Sequence, residues 1–558
     1  MNSNYMITGL IFALQFNSDI ADVVEIAEGG AVKKKKWTTL EHNGVLFPPA
    51  YAPHHIPIVY NGEKIILDPA AEEIATLYAK FIVTDYVKNS VFRKNFWNDW
   101  KQILGPTHQI KDLAGCDFQL IYDYLLRAKE EKKLTSTPTS AEEKSNTDAK
   151  YKTAIVDGVS QPVGNFRIEP PGIFLGRGCN PKLGKVKKRI YPEDITINIG
   201  KEAAVPDPGP AHSWAAVIHN RDVEWLAAWK DDITDKIKYV WLGAQSDLKA
   251  KHDMEKFDLA RKLKRKIKTI RSENDLELNS PDIKMRQVAT AFYFIDTYAL
   301  RVGNEKGEDD TDTVGVTSLR VEHIELLGDD QIKLDFLGKD SVRYNRILDV
   351  DHAVYKNIEE FMQNKEMSDQ LFDLINSADI NKYLQSYMKN LTAKVFRTYN
   401  ASNLFQKELK KISKKYSGYQ ETDKINVLLD EFNKANGKVA MLCNHQKNIN
   451  KSNVKKIESL NTHIKKLKAK IRKANAAKKK NPAKISELKS KLKKLRAKKS
   501  MTIELKNISL GTSKVNYIDP RITVAFLKTH NIPIDKIFPK TLQEKFRWAF
   551  DVDEDYKF

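Results

Sequence analysis

Five polar residues in the C-terminal half of the chain could together transfer a phosphoryl group. They are Arg301, Lys339, Arg397, His445 and Tyr517. When a tyrosine attacks a phosphodiester, negative charge develops on the nonbridging oxygens, and arginine presents a planar fork of donors that suits those oxygens. A lysine can protonate the leaving oxygen as a general acid. A metal ion would then be unnecessary for charge neutralisation.

Each of the five also has an ordinary structural explanation. An arginine that ends a helix usually makes a salt bridge, a lysine at a hairpin turn is usually solvated, and a lone histidine is usually buried and hydrogen-bonded. The tyrosine could be a packed surface aromatic, and its base is unidentified, since Asp519 could equally cap the following turn. Catalysis is favoured because all five occur together, in the strings YALRVGNEK, FLGKDSVRY, LTAKVFRTYNAS, LCNHQ and GTSKVNYIDPR.

Other common catalytic sites are not supported. The segment GCNPKLGK at 178–185 fails the spacing of a nucleotide-binding P-loop, and the sequence has no HExxH zinc motif. The DTD string at 310–312 could hold Mg²⁺. It lies in the acidic run GEDDTDT without a preceding apolar strand, so a solvated loop is predicted. Three widely spaced cysteines, none in a CxxC pair, predict no disulfide framework and no zinc site, and they favour a reducing compartment.

The elements that position these residues belong to a large, basic chain. At 558 residues it is too long for one hydrophobic core, and its length predicts three or four domains. Apolar residues make up 41% of the chain, which is enough for several cores. The net charge of +20 predicts a polyanionic partner, either nucleic acid or an anionic membrane face.

The positive charge is concentrated between Lys451 and Lys499. This stretch has 20 lysines and arginines against two acids, which accounts for 18 of the 20 net charges. Apolar residues recur every three or four positions on both sides of the helix-breaking Asn481-Pro482 pair. The pattern predicts two lysine-rich helices packed as an antiparallel coiled coil. Such a hairpin could contact phosphates or merely separate two domains.

The remaining chain is predicted to be mixed α/β up to about residue 246 and mostly helical from Pro281 to Cys443. The segment IKLDFLGKDSVRY interrupts the helical part as a β-hairpin with a turn at Gly338. The apolar run Met6–Phe16 is too short to cross a bilayer and lacks the features of an export signal, so no membrane partner is expected. The KKKK run at 33–36 could be a nuclear address, although short lysine runs are usually just solvated.

From Trp37 to Phe558 the sequence resembles the eukaryotic DNA topoisomerase I family, the type IB enzymes. Besides the five strings above, FRKNFWNDW, RIEPPGIF, RIYPEDI, SLRVEHI and the ending AFDVDEDYKF are similar. The resemblance implies a multidomain α+β fold. Its parts would be mixed α/β N-terminal DNA-clamp lobes, a mainly helical catalytic domain of the tyrosine recombinase type, an antiparallel coiled-coil linker and a small helical C-terminal domain. The expected limits are 1–36 for a leader, disordered or not, then 37–246, 247–446, 447–506 and 507–558.

The resemblance also implies a role for each of the five residues. Tyr517 would attack the scissile phosphate, giving a 3′-phosphotyrosyl link and a free 5′-OH. Arg301, Arg397 and His445 would bind the nonbridging oxygens, and Lys339 would be the general acid. The implied DNA contacts are Lys132, Arg177, Trp225, Lys238, Tyr239, Lys256, Val302, Gly303, Asn304, Glu305, Lys306, Thr313, Asn381, Thr392, Ala393 and Lys394.

The implied activity is relaxation of positive and negative supercoils by transient cleavage of one strand, rotation and religation. It would need neither ATP nor an essential divalent metal. The partner would be double-stranded DNA of almost any sequence, the enzyme would act as a monomer, and its compartment would be the nucleus. Two alternatives stay open: a tyrosine recombinase, which uses a similar constellation, and a nonenzymatic basic DNA-binding protein that uses the hairpin.

Two departures from the family pattern bear on these expectations. About thirty-six residues stand where most eukaryotic members have a long charged leader, which weakens the nuclear assignment. Leu175 stands where the family usually has arginine, so one cation and one wall of the pocket for camptothecin-type drugs are missing. The other residues associated with that pocket are present: Arg177, Asp340 and Asn516.

Overall fold

Short strands dominate the first half of the described chain and long helices the second. The computed structural model describes residues 35–134, 148–304, 311–419, 423–446, 451–476 and 481–558. Within these residues the chain divides into an N-terminal unit, up to residue 250 with residue 311, and a C-terminal unit, 251–304 with 312–558. Outside the described part lie nearly all of the predicted leader with the run Met6–Phe16, half of the KKKK run, Asp310, Glu305 and Lys306, and the side chain of Lys132.

The described part of the N-terminal unit contains twelve short strands. They are β1 (Leu40–His42), β2 (Ile58–Tyr60), β3 (Glu63–Ile65), β4 (Cys116–Asp117), β5 (Thr153–Val156), β6 (Val159–Pro162), β7 (Gly172–Ile173), β8 (Val186–Lys187), β9 (Thr196–Asn198), β10 (Ala216–Ile218), β11 (Trp225–Lys230) and β12 (Ile237–Trp241). The sheet orders are β1-β5-β6, β3-β2-β4, β7-β8 and β10-β9-β11-β12. All neighbours pair antiparallel except β9 and β10.

The described part of this unit also contains three long α-helices: α1 (Pro69–Ala79), α2 (Ser90–Leu104) and α3 (Gln119–Leu134). Helix α1 begins where Asp68 accepts the first free N–H groups, just before Pro69. One hydrophobic core forms where α1 and α2 pack around three fully buried aromatic residues of α2, Phe92, Phe96 and Trp100. A second core lies between strands β1, β5, β9 and β11. Two separate cores fit the prediction that the chain is too long for one.

The C-terminal unit is mainly helical. Its helices are α4 (Asp247–Leu263, whose first residues belong to the N-terminal unit), α5 (Ile267–Glu277), α6 (Ile283–Thr297), α7 (His352–Phe361), α8 (Ser377–Tyr387), α9 (Ala393–Lys415), α10 (Lys424–Leu442), α11 (Lys451–Ala476), α12 (Pro482–Glu504), α13 (Leu510–Asn516), α14 (Pro520–Thr529) and α15 (Lys540–Lys545). Its one described sheet joins β13 (Ile324–Gly328), β14 (Gln331–Gly338) and β15 (Val342–Asp349), all antiparallel.

One hydrophobic core runs through this unit from Ala260 to Phe558. Helix α9 is central to it because its buried residues recur every three or four positions. Among these buried residues are Val395, Phe396, Tyr399, Ser402, Phe405, Leu409 and Ile412. The core also takes in Ile518 and Phe526. The last segment of the chain therefore packs directly on the helices that precede it by more than a hundred residues.

Helices α11 and α12 pack against each other as the apolar pattern predicts. The predicted apolar positions are buried or half-buried, including Leu460 and Ile464 at 8% exposure, while the described lysines between them are exposed. Helix α12 begins at Pro482, where Asn481 accepts the N–H of Lys484. The helix break is therefore confirmed, whereas the supercoiled geometry of a coiled coil stays a prediction.

The coarse expectations for the fold are confirmed. The described chain is mixed α/β and about half helical. The predicted hairpin is β14–β15, and its turn comprises the three residues after Gly338. No described helix has both the length and the apolar composition needed to cross a bilayer.

Candidate active site

Arg397 is a buried cation with no carboxylate partner among the described residues. It lies in the second turn of α9 and is 5% exposed. Its guanidinium donates to the carbonyl oxygens of Ala299 and Cys443, and Nη2 lies 3.4 Å from Nε2 of His445. Burial lowers the pKa of Arg397, and the neighbouring charge of Arg301 lowers it further. Since a buried charge is costly unless paired, this arrangement suits an incoming anion.

His445 is held as a neutral imidazole beside Arg397. It is 5% exposed, and its Nδ1 lies 2.6 Å from Oγ of Ser513. Burial lowers the pKa of His445 to about 3, and the charges of Arg397 and Arg301 add to this effect. A guanidinium can only donate, so its contact makes Nε2 the acceptor and places the proton on Nδ1, toward Ser513.

Tyr517 packs against both residues. It follows α13, where its N–H donates to the carbonyl of Ser513 at 2.9 Å. Its ring stacks on the His445 ring with centroids 5.2 Å apart and planes 27° apart. The Cζ atom of Arg397 lies 5.1 Å from the tyrosine ring centroid. The half-buried tyrosine is therefore part of the buried cationic cluster and not an isolated surface aromatic.

Asp519 is engaged elsewhere and is not a base for Tyr517. It is fully buried, and its Oδ1 accepts the N–H of Arg521 at 2.9 Å as the N-cap of α14. Its Oδ2 accepts from Nη2 of Arg521 at 2.8 Å and from the hydroxyl of Tyr556 at 3.0 Å. The capping role considered from the sequence is confirmed.

Arg301 is placed by a close contact between two glycines. Gly303, at φ +92°, lies against Gly315, and a Cβ added to Gly315 would come within 2.5 Å of the Gly303 Cα. The carbonyl of Arg301 accepts the N–H of Val316 at 2.9 Å, and the carbonyl of Val302 accepts the N–H of Thr317 at 2.7 Å. This backbone pairing holds the loop that follows α6.

Lys339 is exposed at the tip of the β14–β15 hairpin. The two residues after it, Asp340 and Ser341, have φ values of +67° and +56°, which turn the chain sharply. The N–H of Val314 donates to the carbonyl of Leu337 at 2.8 Å, which ties this hairpin to the segment that holds Arg301. Lys339, Arg301 and Arg397 line one cleft, together with Gly338 and Cys443.

The structure therefore brings together all five residues that the sequence singles out. Arg397, His445 and Tyr517 are in mutual contact, and Arg301 and Lys339 share a cleft with Arg397. The cluster combines two guanidinium cations, a neutral imidazole, a tyrosine hydroxyl and an ammonium group. Asp312, the described aspartate of the DTD string, is paired with Arg320 at 2.8 Å instead, and that pairing lowers its pKa.

Five of the implied DNA contacts lie in the N-terminal unit, and the side chains of four of them, all except Lys132, are described. Arg177 is exposed between two glycines with φ near +53° and +60°. Lys238 lies 3.1 Å from Asp231, so it already has an acidic partner. Trp225 is only 7% exposed, with its ring 5.8 Å from that of half-buried Tyr239. Support of Tyr239 therefore suits Trp225 better than direct contact with DNA.

Leu175 is half-buried and packs against the core around α1 and α2. The residue that replaces the family's usual arginine thus serves packing. Of the other drug-pocket candidates, Asp340 and Asn516 are exposed in the C-terminal unit.

Two lysines contact one carboxylate, that of Asp253, in the C-terminal unit. Nζ of Lys256 lies 2.9 Å from Oδ1 of Asp253, and Nζ of Lys545 lies 3.4 Å from its Oδ2. Burial lowers the pKa of Lys256, and the charges of Lys545 and Lys394 lower it further. The excess of positive charge suits a phosphate. Lys545 was missed from the sequence because its string, QEKF, has no distinguishing feature.

Most of the other implied contacts surround the first turn of α9 and the Arg301 loop. Oδ1 of Asn381 accepts the N–H of Ala393 at 3.1 Å, so Asn381 helps to start the helix that carries Arg397. Ala393 is buried, Thr392 and Thr313 are half-buried, and Lys394 is exposed. Val302 and Gly303 are half-buried, and Asn304 is exposed.

Two buried serines at the site were also missed from the sequence. Ser402 Oγ donates to the carbonyl of Tyr517 and accepts the N–H of Asp519, both at 3.0 Å. Ser513 contacts His445 through its hydroxyl and Tyr517 through its carbonyl. A serine inside a helical pattern carries no sequence signal that separates such a role from ordinary packing.

Three family models match successive parts of the chain. The model of the eukaryotic DNA topoisomerase I DNA binding fragment matches residues 35–242, and that of the catalytic core matches residues 245–478. The model of the C-terminal topoisomerase domain matches residues 489–558.

Curated proteins match over nearly the whole chain. DNA topoisomerase 1 beta of Arabidopsis thaliana is 43% identical over 557 residues, covering 94% of this chain and 60% of the plant protein. DNA topoisomerase 1 of Caenorhabditis elegans is 42% identical over 573 residues, covering 96% of this chain and 70% of that protein. DNA topoisomerase 1 of Homo sapiens is 42% identical over 559 residues, covering 94% and 72%. The chain thus spans 60% of the length of the Arabidopsis relatives.

Proposed function

Because the chain belongs to the eukaryotic DNA topoisomerase I family, we propose that it relaxes positive and negative supercoils by cutting and rejoining one DNA strand. The observation that carries this proposal is the contact of Tyr517 with Arg397 and His445 in a buried site that has a cation and no described carboxylate partner for it. A phosphodiester supplies the missing negative charge.

In the proposed reaction the hydroxyl oxygen of Tyr517 attacks the phosphorus. The P–O5′ bond breaks, and Lys339 gives a proton to the departing 5′ oxygen. Arg301 and Arg397 donate to the nonbridging oxygens as their charge grows. Asp519 is occupied, so the phenol proton leaves to water while Arg397 stabilises the phenolate. The product is a 3′-phosphotyrosyl link with a free 5′-OH.

Because His445 is neutral, it can assist the phosphate only through a hydrogen bond, and it must donate that bond because the phosphate oxygens are acceptors. Its Nε2 then carries the proton and Nδ1 accepts from Ser513, the reverse of the tautomer that faces Arg397 without substrate. A serine hydroxyl can donate or accept, so Ser513 permits both tautomers.

Religation reverses the same steps. One phosphate ester is exchanged for another, so the bond free energy is retained and ATP is unnecessary. Two arginines and a lysine provide the positive charge that a divalent metal supplies in metal-dependent nucleases, so we propose that no metal is essential.

The wider arrangement is also a proposal. The N-terminal unit, with residues 37–246, would form DNA-clamp lobes, and the basic helices α11 and α12 would slow rotation of the cut DNA through phosphate contacts. The substrate would be duplex DNA of almost any sequence, bound by a monomer in the nucleus.

Plasmid relaxation without ATP and Mg²⁺ tests the proposal. We expect the parent enzyme to relax both positively and negatively supercoiled plasmid, and Tyr517→Phe to bind DNA but relax neither. A tyrosine recombinase would instead act at particular sequences, and a nonenzymatic binder would be unaffected by Tyr517→Phe. Absence of relaxation by the parent, or full activity in Tyr517→Phe, would contradict the proposed function.

A further inference from the structure

The backbone around Tyr517 is held from two sides by serine residues. Both serines are fully buried at 0% exposure, and neither belongs to the five residues proposed to act on the phosphate. Ser402 lies on α9, five residues after Arg397, and Ser513 lies on α13, four residues before Tyr517. The helix of the transition-state arginine and the helix of the nucleophile are thus linked next to the reacting group.

Ser402 hydrogen-bonds to two successive peptide groups that follow Tyr517. Its hydroxyl donates to the carbonyl of Tyr517 and accepts from the N–H of Asp519, each at 3.0 Å. One side chain therefore satisfies two backbone groups that flank Ile518. The side chain of Asp519 is in turn hydrogen-bonded to Arg521 and Tyr556, so the residue whose N–H donates to Ser402 is itself fixed in place.

Ser513 holds the other side. Its carbonyl accepts the N–H groups of Tyr517 at 2.9 Å and of Ile518 at 3.0 Å, while its hydroxyl lies 2.6 Å from Nδ1 of His445. The imidazole is stacked on the Tyr517 ring, so the same residue sets both the nucleophile's backbone and the ring beside it.

We propose that Ser402 and Ser513 are positioning residues that hold Tyr517 and His445 in line for attack on the phosphate. This inference rests on the proposed function. Reacting groups must be aligned closely, and a misplacement of about 1 Å can cost about 100-fold in rate. Neither serine touches the phosphate itself in this assignment.

The test compares single-turnover cleavage and DNA affinity in Ser402→Ala and Ser513→Ala. Cleavage is measured on a duplex whose cut strand dissociates. DNA affinity is measured by fluorescence anisotropy on an intact duplex, and for this measurement each variant also carries Tyr517→Phe so that no cleavage occurs. We expect cleavage to slow by about tenfold or more in each variant, with affinity unchanged within about twofold. Religation should slow as much as cleavage, because both directions use the same alignment.

Ser413→Ala is the matched control. Ser413 is on the same helix, and its hydroxyl lies 2.8 Å from Nε2 of His530, outside the catalytic cluster. It should lose a comparable hydrogen bond while keeping the parent cleavage rate. Thermal unfolding of all variants shows whether each is folded. If Ser402→Ala does not fold, Ser513→Ala decides the proposal, because it keeps every backbone hydrogen bond of the loop.

A folded variant that cleaves within about threefold of the parent rate overturns the assignment of that serine, as does a loss that Ser413→Ala matches. A loss that appears only in DNA affinity also overturns it. These results differ from failure of the proposed function, in which the parent enzyme itself forms no covalent complex.

Discussion

Arg397 and His445 work as a pair because burial acts on them differently. The guanidinium remains charged even when burial lowers its pKa, since its ordinary pKa is above 12. The imidazole loses its charge, because burial, together with the charges of two arginines, lowers the pKa of His445 to about 3. The site therefore combines permanent cations with a neutral donor at physiological pH, and its charge does not change when the pH passes through the usual range of histidine.

The predicted consequence is that His445 stays neutral between pH 5 and 8. As the pH falls below about 6.5, the unfolded chain takes up a proton at this histidine but the folded chain does not. Protonation thus favours unfolding progressively between pH 6.5 and about 3, where the folded pKa lies. NMR of ¹³C-labelled histidine, with the signal assigned by its loss in His445→Gln, measures the ring directly. A midpoint near 6.5 for this signal would contradict the account.

At this scale the sequence predicted residue types better than their partners. The chemistry proposed for the five site residues follows from their side-chain types. These residues are Tyr517, Arg301, Lys339, Arg397 and His445. The role of Asp519 needed the structure, because only the fold brings Arg521 and Tyr556 onto both of its oxygens. Ser402 could not be predicted, since its two partners lie more than a hundred residues away.

Among the elements, segment 314–317 joins two of the residues proposed to be catalytic. Its backbone pairs with the Arg301 loop on one side and with β14, which leads to Lys339, on the other. The absence of a side chain at Gly315 permits this, because the Gly303 backbone occupies the space of a Cβ. Arg301 and Lys339 are thus positioned by the same short segment, which enters a 3₁₀ turn at Val316.

Gly315→Ala should therefore damage catalysis without a change in charge. Its Cβ would lie 2.5 Å from Cα and N of Gly303 and 2.8 Å from the carbonyl oxygen of Arg301, so the Arg301 loop must move. We expect single-turnover cleavage to fall by about 100-fold. Gly418→Ala is the control, because nothing lies within 4 Å of its added Cβ. Equal cleavage rates in the two variants would contradict this role of segment 314–317 in positioning Arg301.

The hairpin and the basic helices could be predicted because alternation and heptad-like spacing are local signals. The Gly303–Gly315 contact could not, because GNEK and DTVG show only that each loop contains a glycine. Which two loops meet is decided by tertiary packing.

At the scale of the whole chain, the positive net charge and the proposed catalytic residues occupy different parts of the sequence. Nearly all of the net charge lies between Lys451 and Lys499, whereas the five residues proposed to be catalytic lie outside that stretch, in the described parts before and after it. The core shared by α9 and the last segment holds the nucleophile, while α11 and α12 stay solvated along their lysine faces. Length and composition predicted several cores and a polyanionic partner, but the single core of the C-terminal unit follows from long-range packing that no local pattern encodes.

The most direct test of the account is to identify the covalent link itself. A duplex whose cleaved strand dissociates would trap the intermediate, and mass spectrometry after protease and nuclease digestion would locate the attached nucleotide. We expect a nucleotide on Tyr517 joined through the 3′ phosphate, with a 5′-OH on the released strand. Attachment to another residue, a 5′-phosphate link, or no covalent complex would contradict it.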